Sequence, residues 1–210
     1  MTHRNLTGAL SAENASTRLQ AALAAGTQAD PGLLDTLVAR CAVEPEFFVR
    51  DMLTWALTRL PVELTVPKLL EELRSERPQA RSQALHTLSK LGEHSTWPAI
   101  TRALLRDADD EVARSAWRAA VVLVPPAQRK ELATELAGQL GRGDEKLQLS
   151  LSQALVALGD VIEPLLPTDS AAAAVRAHAR ATERLLRDPD SGFDLAVDEA
   201  DRILTLSPER

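Results

Sequence analysis

A chain of 210 residues that is 45% hydrophobic but only 3% aromatic must pack Ala, Leu and Val, a composition that suits closely opposed helices. Its formal net charge of −6 opposes the attraction that binding along a phosphate backbone needs, so direct contact with nucleic acid is not expected. Cys41 is the single cysteine and excludes an intrachain disulfide, and neither Met1–Asn5 nor the proline-broken stretch Ala119–Ala127 can serve as a signal core or a bilayer span. A cytoplasmic protein with no membrane contact is expected.

One phrase recurs at intervals of about 28 to 34 residues: a small or apolar residue, then Arg, then an apolar helical stripe closing on Gly or Pro. It starts at Thr17-Arg18, Val49-Arg50, Ala80-Arg81, Ala113-Arg114 and Val175-Arg176, with Leu147-Gln148 as the variant copy. Each interval is one helix pair, which predicts an all-α, right-handed α-solenoid. The pairs are expected at about 5–26, 31–61, 65–92, 96–125, 127–159 and 161–187, the last with a first helix of barely one turn before Pro167. Asp30-Pro31 reads as a helix start, and Thr65 and Thr96, each two residues before a proline, read as N-caps. A polar or acidic turn precedes each second helix: Glu44-Pro45-Glu46, Glu76-Arg77-Pro78, Asp107–Asp110 and Gly143-Asp144-Glu145. A closing helix from about 191 to 206, with Phe193, Val197, Ala200 and Ile203 on one face, is expected to cap the array. The domain reading is 1–187 for the array and 188–210 for the cap and tail.

The acidic turn leading into Val-Arg or Ala-Arg, as in Asp109-Asp110-Glu111-Val112-Ala113-Arg114, and the stripe ending in Leu-Gly, as in Ala154–Gly159, resemble the HEAT-repeat family, including its PBS-lyase-type repeats. The wording of Phe47–Leu57 and Arg81–Leu88 is also similar to HEAT segments joined to some bacterial MerR-type regulators, although this sequence shows no helix-turn-helix head. The resemblance implies an Arg ladder in which Arg18, Arg50, Arg81, Arg114 and Arg176 bond acidic residues or carbonyls of neighbouring turns. It also implies a concave surface lined by the second helices.

With Leu53 at the centre of a buried stripe, Val49, Ala56, Leu57 and Leu60 fall beside it, while Asp51, Trp55 and Thr58 point away. The equivalent outward positions are Ser82, His86 and Ser89, then Ser115, Ala119 and Val122, then Leu149, Gln153 and Val156. Trp55 reads as an interface anchor or as a residue covered by the N-terminal repeat, whereas Trp117 and Trp97 read as packing residues. Towards the C-terminal half the column turns apolar, which marks either a partner site or a surface covered by the closing helix.

No pair among His3, His86, His94 and His178 has the i, i+4 helical spacing of a metal site, Cys41 reads as a small buried hydrophobe, and no phosphate loop or nucleophile elbow is present. No metal or cofactor is expected. The leading expectation is a non-enzymatic interaction or regulatory module that holds a protein segment or small effector on its concave face, through Asp51, Trp55, Thr58, Ser82, His86, Ser89, Ser115 and Gln153. The alternatives are an enzyme or enzyme subunit resembling the HEAT-like bilin lyases or DNA glycosylases, and a transcription-regulation partner without its own DNA-binding head.

Overall fold

The computed structural model describes residues 3–190 and 193. The chain divides into two compact units, Met1–Leu123 and Val124–Arg210. The described residues are helical or irregular, with no strand among them. No helix among them is long and apolar enough to cross a membrane.

The first unit stacks four helix pairs. Helices α1 (His3–Leu10) and α2 (Ala15–Gln28) form the first, α3 (Leu34–Cys41) and α4 (Phe47–Thr58) the second, and α5 (Val62–Glu72) and α6 (Pro78–Leu91) the third. In the fourth, a 3-10 segment His94–Ala99 and the single turn α7 (Arg102–Leu105) precede α8 (Asp110–Leu123). The second helices pack in sequence, α2 on α4, α4 on α6 and α6 on α8, and each also packs on the first helix of its own pair. In the second unit α9 (Arg129–Ala137) lies against the 3-10 segment Asp160–Leu165, and α10 (Glu145–Val156) packs on α11 (Ala173–Arg187).

Local chemistry sets these boundaries. Side-chain oxygens of Asn14 and Asp144 accept from Thr17 N and Leu147 N, and Asp109 accepts from both Glu111 N and Val112 N. Each such bond satisfies an amide that the first turn leaves free. Asp30 accepts from Gly32 N ahead of Pro31, as its sequence suggests. Gly92 ends α6 at φ 68°, a left-handed geometry that glycine enters without a Cβ clash. Two expected caps are corrected. Helix α5 starts three residues before Thr65, whose hydroxyl donates to Pro61 O inside the first turn. Thr96 likewise donates to Glu93 O within the 3-10 segment, and the capping oxygen ahead of α7 belongs to Thr101, which accepts from Leu104 N. In both copies the Thr lies inside the helical turn, past the cap position, and its hydroxyl donates to a carbonyl one turn back.

The core follows the periodicity. Val49, Leu53, Ala56, Leu57 and Leu60 are buried together, and Trp117 is fully buried with its indole N–H donating 2.8 Å to Leu105 O. Burying one such side chain contributes about 1.5–3 kcal/mol. Small residues let the helices approach: Ala21, Ala22, Ala25 and Gly26 form the buried face of α2. A Cβ on Gly26 would fall 2.9 Å from Ala56 Cα and 2.3 Å from the Trp55 ring. Of the expected closing helix only Phe193 lies within the described residues, and its ring meets that of His178 edge to face at 5.8 Å.

Candidate functional site

Four of the five arginines of the repeated phrase share one gesture: each folds back on the turn before its own helix. Arg18 Nη1 donates to Ala12 O and Glu13 O, Arg50 Nη1 to Glu44 O and Pro45 O, Arg81 Nη1 to Ser75 O, and Arg176 Nη1 to Ser170 O. Gln148, in the variant copy, reaches Gly143 O with its amide. A planar group with five donors can do this from Nη1 and still have the three N–H groups of Nε and Nη2 to offer elsewhere.

Those remaining donors divide the row. Arg18 uses Nε and Nη2 to grip both oxygens of Glu44 at 2.7 Å, and Arg81 grips both oxygens of Asp107 at 3.1 Å, tying each repeat to the next. Glu44 is fully buried. Burial alone pushes its carboxyl up, but the bonds from Arg18, Glu46 N and Arg40 more than reverse this and hold it down at about 2. Gln79 adds a third repeat to the knot, donating to Cys41 O and Glu44 O. Arg50 and Arg114 make no such grip on the following repeat: Arg50 stops at its two carbonyls, and Arg114 pairs with Glu111 on its own helix.

These two arginines border a groove of about 680 Å³ that runs over α4, α6 and α8, lined by Phe47, Arg50, Gln79, Ser82, Gln83, Glu111, Arg114 and Arg118. A continuous recess of about 340 Å³ adds Asp51, His86, Lys90 and Ser115. Helical spacing builds the surface. Ser82, His86 and Lys90 stand one above another on α6, and Arg114 and Arg118 do so on α8. Phe47 stands at the lip, 64% exposed and edge-on to Phe48 at a centroid distance of 5.5 Å.

The groove is a crowded cationic field. Desolvation, then Lys90, lower the His86 imidazole from its ordinary value; Asp51 opposes this and Arg118 adds to it. Arg118 is itself lowered, first by desolvation and then by the charge of Arg114. Buried Oε1 of Gln83 has no hydrogen-bond partner among the described residues.

Of the residues singled out from sequence, the structure brings Asp51, Ser82, His86 and Ser115 together in the groove, joined there by Arg50 and Arg114. Trp55 is 38% exposed but lays its ring over Gly26 of the preceding repeat, and the Thr58 hydroxyl donates to Trp55 O. Ser89 turns its hydroxyl to His86 O. Gln153 is exposed on α10 of the second unit. Ala119, expected on the outward column, is fully buried, while Val122 is 44% exposed. The sequence reading did not single out Phe47, Gln83, Lys90 or Arg118. The signal was there in Arg114/Arg118 and His86/Lys90, which are i, i+4 pairs.

Two buried groups offer no reactivity. Burial, aided by Glu44, pushes the Cys41 thiol up to about 12, where it is not a nucleophile at neutral pH. His178 is fully buried: its Nδ1 accepts from Gly141 N at 2.9 Å, while Nε2 lies 3.0 Å from both Gln148 O and Ser152 Oγ. With Nδ1 accepting, Nε2 carries the proton and the ring is neutral. Burial holds it at about 4 against the weaker opposing pull of Gln148 O. Among the described residues no group of three His, Cys, Asp or Glu side chains is placed to hold a metal ion.

Stacked helix pairs joined rung to rung define an α-solenoid repeat protein. Residues 48–121 match the family described as HEAT repeats, a span that holds every groove-lining residue except Phe47. Among solved structures the chain is similar to an engineered protein at 17% identity, covering 91% of this chain and 100% of that one with a TM-score of 0.48. It is also similar to a second engineered protein at 20% identity, covering 89% and 96% with a TM-score of 0.47. No curated protein matches it.

Proposed function

We propose that this protein is a non-enzymatic interaction module whose groove over α4, α6 and α8 receives an extended segment of a partner protein. One observation carries the reading: the groove gathers charged ends that the fold leaves unused, namely Arg118 and Lys90, beside an exposed aromatic lip at Phe47. Such a module works in the cytoplasm without a cofactor and regulates or assembles its partner by occupancy alone.

Site-resolved photo-crosslinking in the native host lysate tests it. A crosslinking amino acid at Ser115 should capture a discrete partner, and the same group at Glu71, exposed on α5, should not. Equal capture at both positions would remove the groove as the docking site.

A further inference from the structure

We propose that the occupant of this groove is an acidic, extended protein segment whose alternate carboxylates meet Arg114 and Arg118; this rests on the docking reading above and names the chemistry of its partner. The chain as a whole is acidic at −6, yet four cations, Arg50, Lys90, Arg114 and Arg118, converge on this one surface. Three acids share these walls, Asp51, Asp109 and Glu111, so the cations outnumber them by one. Asp109 is turned to its own helix start, accepting from Glu111 N and Val112 N, and Glu111 pairs with Arg114 with its side chain 66% exposed. An exposed pair of that kind contributes at most about 1 kcal/mol, so Arg114 exchanges it readily for an incoming carboxylate. Arg118 and Lys90 have no hydrogen-bond or ion-pair partner among the described residues, and Arg118 is lowered first by desolvation and then by the neighbouring charge of Arg114.

Spacing argues for an extended segment. Arg114 and Arg118 are four helical residues apart, a rise of about 6 Å. Same-side side chains of an extended chain repeat at about 6.6 Å. A strand-like segment lying along α8 therefore presents alternate carboxylates to both guanidiniums. Guanidinium groups favour carboxylates by bidentate bonding, and the field around them raises the encounter rate with an acidic segment.

Fluorescence anisotropy with the full chain tests this, using labelled peptides of alternating Glu-Ser, Gln-Ser and Lys-Ser, and an oligothymidylate of equal negative charge. The Glu-Ser peptide should bind at least tenfold tighter than the Gln-Ser peptide, and added salt should weaken it. Arg118→Glu and Lys90→Glu, both at exposed positions, should each reduce its affinity about tenfold with unchanged circular dichroism. Affinities for Glu-Ser and Gln-Ser within twofold of each other, or no binding of Glu-Ser at about 1 mM, overturn the proposal. Tighter binding of the oligothymidylate overturns it in favour of nucleic acid. If the crosslinking contrast between Ser115 and Glu71 holds while the two peptides bind equally, the docking site stands and its acidic preference falls.

Discussion

Arg18 and Glu44, 26 positions apart in sequence, meet in a two-pronged ion pair with both N···O distances at 2.7 Å, and neither residue is more than 5% exposed. The acid also accepts from Arg40 and from Glu46 N, so every lone-pair direction it presents is occupied. Such a pair is a requirement more than a surplus: its strength is mostly felt when one partner is removed.

Glu44→Ala should therefore destabilise the first unit by about 3–5 kcal/mol, the cost of leaving a buried cation without its acceptor. Urea denaturation measures it. Glu111→Ala, which removes an exposed pair, serves as the comparison and should change the midpoint little. Similar midpoints for the two variants would show that the Glu44 knot is not what joins the repeats.

Arg81→Ala should lower stability by about 1–3 kcal/mol, because Arg81 and Asp107 are bonded twice but remain 17% and 15% exposed at their side chains. Chemical denaturation again reads the effect, and an unchanged midpoint would assign Arg81 to solvent-facing anion binding instead.

His178 should make the second unit acid-labile. Its folded value of about 4 lies below the 6.5 of the free imidazole, so the unfolded chain takes up more protons between those two pH values. The contribution is whole above about pH 6.5 and is lost progressively as pH falls towards 4, amounting to about 3 kcal/mol across the window. Protonation also turns Nδ1 into a donor facing the Gly141 N–H. Exchange protection of the Gly141 amide, followed from pH 7 to pH 4, should fall over that range, and His178→Gln should flatten the slope. A slope that is the same in both proteins would remove His178 as its origin.

Gly26→Ala should cost about 1–3 kcal/mol, since the new methyl meets the Trp55 ring at 2.3 Å. Trp55→Ala in the same chain should recover only part of this, because Ala56 Cα also lies 2.9 Å from the added carbon. A double-mutant cycle that shows simple additivity would mean the indole moves aside freely.

The helix pairs and their buried stripes were legible because burial at period 3.6 leaves its mark on the residues themselves: Leu53 and its neighbours, and Trp117, lie where their spacing puts them. Caps were less so. Thr65 and Thr96 carry the right chemistry in the right place, but their hydroxyls reach back to carbonyls, a choice that depends on where the helix starts. Arg50 and Arg114 look the same as Arg18 and Arg81 in sequence. Only the partner presented by the next repeat separates a tie from a groove wall, and that partner is a long-range fact. His178 shows the same limit, because its contacts with Gly141, Gln148 and Ser152 come from elements 26 to 37 positions away.

All three tryptophans of the chain, Trp55, Trp97 and Trp117, belong to the first compact unit, and the second has none. Indole emission is therefore a private signal of the groove-bearing half, dominated in its blue edge by the enclosed Trp117, whereas far-ultraviolet dichroism sums over both halves. Recorded together during denaturation, the two optical signals should coincide only if the halves melt as one; a lag between them would time each half separately without a label or a cut in the chain.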